Sequence, residues 1–155
     1  HFTKKLLDDF TISKDFITLH VGLGTFLPVK SKNIDDHDMH EESYFINSKT
    51  LKKIQNVKRN GNRILSIGTT SLRAIESLAI DTNQVNKWSK TNLFITEGFD
   101  FKFTDCLLTN FHLPKSTLLI LISSFLGYEL TMKCYKIALK EKFRFYSYGD
   151  AMLIL

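Results

Sequence analysis

The ten residues from 109 to 118 carry the groups in this sequence that are best suited to chemistry. Between two apolar runs, they place an amide, an imidazole, a proline and two hydroxyls. Pro114 disfavours a helical conformation at the residue before it, so a turn is expected there. Ser116 and Thr117 are expected to cap a helix that begins at Leu118. A strand that turns through polar groups into a helix is typical of α/β active sites, although an ordinary capped loop has the same pattern.

A second stretch joins a strand to a helix in the same way. A strand is predicted over residues 63–67, a helix over 72–78, and Gly-Thr-Thr-Ser at 68–71 lies between them. Hydroxyls and free backbone N–H groups at such a helix N-terminus favour a carboxylate or a phosphate. The stretch has neither the lysine of a Walker loop nor the spaced glycines of a dinucleotide fingerprint. Anion binding and an ordinary turn therefore both stay open.

The stretch 34–42 contains two histidines, His37 and His40, among five carboxylates. It is interpreted in three ways. A solvated acidic loop is the simplest. A metal site is an alternative, but two histidines three residues apart do not define a coordination geometry. In the third interpretation, carboxylates orient the imidazoles for proton transfer.

Composition and charge restrict the class of protein. The 155 residues are 43% hydrophobic and 24% charged, as expected for one globular domain with a sizeable core. The net charge of +5 weakly favours a polyanionic partner, and lysines crowd the predicted helices 48–60 and 129–142. Cys106 and Cys134 are expected to be buried thiols in a reducing compartment. Without a signal peptide or an apolar run near ~20 residues, a cytoplasmic protein is expected, with no membrane partner.

Periodicity predicts the elements that must position these groups. Helical spacing is predicted up to residue 11 and over 48–60, 72–78, 118–126 and 129–142, the last with Met132, Tyr135 and Leu139 facing inward. Strands are predicted over 16–21, 63–67, 93–96, 98–104 and the apolar end of 145–155, and a surface loop over 81–92. Alternating short strands and helices indicate an α/β layer structure. Because helical spacing is present from residue 2 and no methionine starts the chain, an upstream region is expected.

Five stretches in this order and spacing closely resemble the C-terminal half of the S-adenosylmethionine:tRNA ribosyltransferase-isomerase family of queuosine biosynthesis. They are LHVGLGTF at 19–26, HDMHEE at 37–42, GTTSLR at 68–73, residues 109–118 and YGDAM at 148–152. The resemblance implies an α/β fold with a mixed sheet and flanking helices. Residues 1–155 would be a single, incomplete part of the catalytic domain. The N-terminal half of this two-domain family, with its β-barrel domain, is missing here.

The resemblance also implies an activity. The ribosyl moiety of S-adenosylmethionine, a co-substrate, moves to 7-aminomethyl-7-deazaguanine at the tRNA wobble position and gives epoxyqueuosine, and no metal is expected. Lys115 stands where the family usually has glutamate, and Thr96-Glu97 replaces an aromatic–proline pair. Two alternatives stay open. One is a non-catalytic fragment that retains only tRNA or cofactor binding. The other is a half-site completed by a separately encoded N-terminal half, which predicts an exposed apolar patch.

This chemistry needs a base next to the sulfonium and an acid to help adenine leave. Imidazole titrates near neutral pH, so the candidate proton carriers are His37, His40 and His112. Carboxylates are expected to orient them or to meet the substrate amine; the candidates are Asp36, Glu42 and Asp150.

The remaining candidates concern binding. The methionine carboxylate is expected at Gly68, Thr69, Thr70 and Ser71. Phe111 and Tyr148 are candidates for cation–π contact with the sulfonium or, equally, for the core. Asn110 either binds a base edge or satisfies the turn. Arg73 either adds charge for the substrate or pairs with Glu76, and pairing is slightly favoured.

Overall fold

The structure is a computed structural model that describes residues 2–22, 34 and 37–155. Its helices are α1 (Lys4–Asp9), α2 (Ser48–Arg59), α3 (Thr69–Ile80), α4 (Thr117–Leu126) and α5 (Tyr128–Lys140). Its strands are β1 (Thr18–His20), β2 (Glu42–Phe45), β3 (Leu65–Ile67), β4 (Trp88–Thr91), β5 (Cys106–Asn110) and β6 (Ala151–Ile154).

The predicted mixed sheet with helices is confirmed. Strand order is β3-β5-β6, with β5 parallel to β3 and antiparallel to β6. Ile67 lies opposite Leu108, which in turn lies opposite Leu153. Because β3 and β5 are parallel, their carboxyl ends meet at one edge of the sheet. The two polar stretches of the sequence follow these two ends.

A second, antiparallel sheet of order β1-β2-β4 was not predicted. β2 begins at the end of the stretch predicted as an acidic loop, and β4 lies in the segment predicted as a surface loop. The inward residues of β4 carry hydroxyl groups. A search for alternating apolar residues therefore does not predict this strand. Thr91 Oγ1 lies 2.5 Å from Ser77 Oγ, and Ser89 Oγ donates to Gln84 Oε1 at 3.0 Å.

The predicted strands 93–96 and 98–104 are wrong, since both segments are irregular. The apolar side chains that suggested strands, such as Ile95, Phe99 and Phe101, do pack against the core. A buried carboxylate replaces the strand ladder. Glu76 accepts the backbone N–H groups of three successive residues at 2.7–3.1 Å, those of Lys102, Phe103 and Thr104.

Helix ends follow the sequence closely. Asn47 caps α2 by accepting the N–H of Thr50, and Ser116 caps α4 by accepting the N–H of Leu119. The predicted cap at Ser116 is therefore confirmed, while Thr117 is the first helical residue.

The inner face of α5 was predicted only in part. Tyr135 is buried and Met132 half-buried, but Leu139 is 66% exposed. Thr131 and Ala138 are buried instead. The inward stripe is therefore narrower and contains smaller residues than the predicted apolar spacing.

Two apolar clusters meet at α3. The first packs the antiparallel sheet on α2 and α3, with Tyr44, Leu51 and Leu78 at its centre. The second packs the mixed sheet on α4 and includes Leu72 of α3 and Leu107 of β5. Helix α3 thus contributes to both and joins the two sheets.

The cysteines and the helix lengths bear on two further expectations. Cys106 is buried and Cys134 half-buried, both as free thiols. Within the described residues, no single helix is long and apolar enough to cross a membrane, although α4 and α5 reach that length and composition together across a 116° bend.

Candidate active site

Three of the five motif stretches meet at the carboxyl edge of β3 and β5. The N–H of Gly68 donates to the carbonyl of Leu108 at 2.8 Å, which joins the start of α3 to the end of β5. The Asn110 side chain donates to the carbonyls of Gly149 and Asp150, each at 3.3 Å. Asn110 therefore binds the backbone just before β6, and its predicted role toward a base edge stays a prediction.

The first turn of α3 has no side-chain cap among the described residues. Gly68 is its N-cap, with φ 85° and ψ 145°. The N–H groups of Thr69, Thr70 and Ser71 therefore keep their capacity to bind a carboxylate. A Cβ on Gly68 would meet no atom within 4 Å, so glycine is needed here for its conformation and not for space.

One turn into α3, Arg73 forms a buried ion pair with Glu42. Its Nη1 lies 2.6 Å from Glu42 Oε2, and the two side chains are 3% and 0% exposed. The Arg73 Nε donates to the carbonyl of Leu93 at 3.2 Å, while Nη2 has no hydrogen-bond partner among the described residues. Burial lowers the pKa of Arg73, and the Glu42 carboxylate opposes that shift. The predicted pair with Glu76 is wrong, because the Glu76 carboxylate receives backbone N–H groups.

This ion pair connects two further motifs to α3. Glu42 Oε1 accepts the N–H of Gly22 at 2.9 Å, which links the end of β1 to the same site. The His37 ring contacts Phe94 edge-on, with centroids 5.1 Å apart, next to the carbonyl that Arg73 binds. The histidine stretch therefore approaches the first turns of α3. His40 is exposed.

The described contacts of Glu42 include Arg73 and Gly22, and its predicted role toward a histidine or the substrate amine stays a prediction. The prediction for Asp36 lies outside the described residues, as does most of the LHVGLGTF stretch after Gly22. Among the described residues, no three His, Cys, Asp or Glu side chains are grouped to hold a metal ion.

His112 is a neutral imidazole. Its Nε2 lies 2.9 Å from Thr109 Oγ1, and its backbone N–H donates to Tyr135 Oη at 3.0 Å. Burial lowers the pKa of His112 to about 4, so the expected titration near neutral pH does not hold for this residue. At pH 7 the ring is therefore unprotonated. It lines a cavity of about 90 Å³ together with Asn110, Leu113, Ser116, Leu118, Tyr146 and Ser147.

Asp150 pairs with an arginine and not with a histidine. Its Oδ1 lies 2.9 Å from Arg144 Nη2, and its Oδ2 accepts the Arg144 N–H at 2.7 Å. These contacts lower the pKa of Asp150. The predicted orientation of a histidine by Asp150 is therefore wrong among the described residues. An aspartate held as a carboxylate at this edge remains suited to meet an amine.

The two aromatic candidates lie in opposite environments. Phe111 is buried, and its ring centroid is 5.2–5.7 Å from those of Tyr135, Phe143 and Phe145. Its contacts are those of a core residue. Tyr148 is 91% exposed, so its ring is accessible.

Sequence reasoning missed Arg144, Thr109 and Tyr135. Arg144 lies six residues from Asp150, and Thr109 lies three residues from His112. Their short spacing in the sequence could have indicated both pairs. Tyr135 comes from a distant helix and was predicted only to face inward. No local pattern indicated its hydrogen bond with the His112 N–H. Gly149 has a steric role: a Cβ there would lie 2.3 Å from the carbonyl oxygen of Arg144.

Comparison with known proteins gives a consistent result. The family described as queuosine biosynthesis protein matches residues 1–154. A relative from Caldanaerobacter subterraneus subsp. tengcongensis is 47% identical over 159 residues, which cover 100% of this chain and 47% of the relative. One from Agrobacterium fabrum is 49% identical over 158 residues, 99% of this chain and 43% of the relative. Both are named S-adenosylmethionine:tRNA ribosyltransferase-isomerase.

The fold also matches a solved structure. The crystal structure of S-adenosylmethionine tRNA ribosyltransferase from Thermotoga maritima matches with a TM-score of 0.76 and 37% identity. The match covers 99% of this chain and 50% of that one. The chain thus spans about half the length of the relatives it matches.

Proposed function

Because the chain belongs to the queuosine biosynthesis protein family, we propose that it forms half of an S-adenosylmethionine:tRNA ribosyltransferase-isomerase. In this activity, the ribosyl moiety of S-adenosylmethionine moves to 7-aminomethyl-7-deazaguanine at the tRNA wobble position. Epoxyqueuosine forms, and adenine and methionine leave. The observation that carries the proposal is that a free helix N-terminus and a neutral histidine lie at one edge of the mixed sheet.

The start of α3 is assigned to the methionine carboxylate. Its uncapped N–H groups at Thr69, Thr70 and Ser71 are donors with a favourable helix dipole. The positive charge of Arg73 lies one turn away, and its Nη2 retains donor capacity among the described contacts. Glu42 holds that guanidinium in place and offsets part of its charge.

His112 is assigned to proton removal next to the sulfonium. The sulfonium charge makes the neighbouring C–H acidic, and a neutral imidazole is the form that accepts a proton. Thr109 orients the ring through Nε2. His37 and His40 remain proposed carriers of the second proton, toward adenine. The exposed ring of Tyr148 suits the sulfonium better than the buried ring of Phe111.

The tRNA is assigned to the basic surfaces. Lys133, Lys136 and Lys140 face outward along α5. On α2, Lys53 and Lys58 pair with Asp15 and Asp105, so part of that positive charge is already compensated. The exposed lysines of α5 are therefore the stronger proposed phosphate contacts.

The test is transfer of label from ribose-labelled S-adenosylmethionine to tRNA that carries the precursor base. The chain is assayed alone and with the portion of the Caldanaerobacter relative outside the matched region. Label is expected in tRNA only when both are present. His112→Ala should then lower transfer at least 100-fold with binding of S-adenosylmethionine retained. Thr82→Ala, at an exposed turn position outside the five motif stretches, should leave transfer unchanged.

The alternative is a fragment that retains tRNA or cofactor binding alone, which the half-length match favours. It predicts binding without transfer under both conditions. Full transfer by the His112→Ala variant would remove this residue from the mechanism.

A further inference from the structure

The mixed sheet has one covered face and one open face. Successive side chains of a strand point to opposite faces, and residues in register share a face. Leu107 and Ile154 are buried on the covered face. The open face contains Leu65 and Ile67 from β3, Leu108 from β5 and Leu153 from β6. Cys106, opposite Leu65 on the same face, is buried, so the open part of this face lies toward Ile67, Leu108 and Leu153.

The open face is a continuous aliphatic surface. Ile67, Leu108 and Leu153 lie directly opposite one another across the three strands. Leu65, Ile67 and Leu153 are 37%, 39% and 53% exposed, and Leu108 is half-buried. Sheets that contain parallel strands normally have both faces covered. An aliphatic row across three strands is therefore a surface that has a partner.

We propose that the open face docks on the complementary half of the family polypeptide, the portion that relatives carry outside the region matched here. This chain corresponds to 47% of the Caldanaerobacter relative and to 50% of the Thermotoga chain. At a TM-score of 0.76, the matched half keeps the family fold. In those proteins a further segment of about the same length is available to cover the sheet. The sequence analysis predicts an exposed apolar patch where a separate N-terminal half would dock. The open face is proposed to be that patch.

The open face runs directly into the candidate active site. Asn110 follows Leu108 on the same face of β5 and lies opposite Ala151, which is exposed. The cavity beside Asn110 and His112 has a volume of about 90 Å³. Small-molecule sites have volumes of roughly 300 Å³ or more. A half that docks on the open face would therefore also extend the wall of this cavity.

The test measures binding and no catalysis, so its failure is distinct from failure of the proposed activity. The 155-residue chain is mixed with the separately produced complementary portion of the Caldanaerobacter relative and examined by analytical ultracentrifugation. A one-to-one complex is expected. Ile67→Lys and Leu153→Lys should each weaken it at least tenfold. Ile137→Lys and Leu139→Lys, which add the same charge at exposed aliphatic positions of α5, should not.

A second measurement does not require the complementary portion to fold alone. Leu153→Cys and Ile137→Cys are introduced into this chain and into a single polypeptide that joins it to that portion. Maleimide should label both cysteines rapidly in the isolated chain, whereas in the joined polypeptide Leu153→Cys should react at least tenfold more slowly. Equal labelling of Leu153→Cys in both proteins would overturn the proposal. A dimer of the isolated chain would also overturn it, if Leu153→Lys dissociates that dimer and addition of the complementary portion does not.

Discussion

Buried ionisable side chains organise the candidate site at the scale of single residues. Glu42, Arg73 and Glu76 are each 3% exposed or less. Glu42 and Arg73 balance each other, and Glu76 is held by three backbone N–H groups. His112 is accommodated by remaining neutral. The ion pair, the backbone hydrogen bonds and the neutral ring each lower the free-energy cost of burying an ionisable group, and each fixes a segment close to the site.

His112 should make folding stability depend on pH. Its folded-state pKa of about 4 lies below the ordinary histidine value of 6.5, so the unfolded chain binds the proton more readily between these values. Stability is therefore complete above pH 6.5 and falls as the pH decreases toward 4, by about 3 kcal/mol. Urea unfolding of the chain and of His112→Asn measures this. The free energy of unfolding of the chain, measured relative to that of His112→Asn, should fall by that amount from about pH 7 to about pH 4, and a constant difference would contradict it.

The Glu42–Arg73 pair should be strongly coupled. Arg73→Met removes the cation that faces the buried Glu42 carboxylate and should lower the free energy of unfolding by about 3–5 kcal/mol. Glu42→Gln leaves the guanidinium unpaired and should also destabilise the protein. The double variant should lose less than the sum of the two, because it leaves no unpaired charge. Urea unfolding of the unmodified chain, the two single variants and the double variant gives the coupling free energy between the two side chains. Strictly additive losses would show that the pair has no coupling.

At the scale of elements, α3 is the central unit. It packs against both sheets, begins at the candidate carboxylate site and carries Arg73 and Glu76. Its start has a close counterpart within the chain. Gly68 before α3 and Gly127 before α5 have nearly the same backbone angles, φ 85° and ψ 145° against φ 88° and ψ 143°. Both are expected to tolerate only glycine.

This similarity supplies a matched control. Gly68→Ala and Gly127→Ala should each destabilise the chain by about 1–3 kcal/mol through backbone strain, since neither added Cβ would meet an atom within 4 Å. Only Gly68→Ala should also weaken binding of S-adenosylmethionine, measured by calorimetry on the chain paired with its complementary portion. An equal loss of affinity in both variants would mean that stability alone is responsible. Thr70→Ala should weaken binding with a smaller effect on stability.

At the scale of the whole molecule, shape and charge point to partners. The mixed sheet presents an open aliphatic face, while the outer side of α5 carries lysines. These surfaces lie on different elements, so the proposed binding of a second protein half and the proposed binding of tRNA would use separate groups.

Binding of tRNA should depend on salt and on the lysines of α5. Replacing Lys133, Lys136 and Lys140 by alanine should weaken binding and reduce the slope of log K against log salt. The slope should change by roughly 0.7–0.9 for each phosphate that the variant no longer neutralises. Lys102→Ala, at an exposed lysine paired with Asp100, is the control and should leave the slope unchanged. Filter binding between about 50 and 200 mM salt, a range in which such slopes are resolved, measures this.

Local patterns in the sequence determined much of this protein. Helical spacing and caps located α2 and α4, because capping and one-sided burial involve residues only a few positions apart. The polar stretches after β3 and β5 were identified for the same reason. Their shared edge was established by the parallel pairing of β3 and β5 in the structure.

Only the tertiary structure decided which charged groups meet. Glu42 and Arg73 are 31 positions apart by their numbers, and Glu76 binds N–H groups 26–28 positions away. Local spacing suggested an Arg73–Glu76 pair, but burial gave each side chain a distant partner. Non-local bonding also accompanies β4 where the sequence is polar and replaces a strand ladder at residues 102–104. A buried polar group must find a partner wherever the fold supplies one, and no local pattern records that choice.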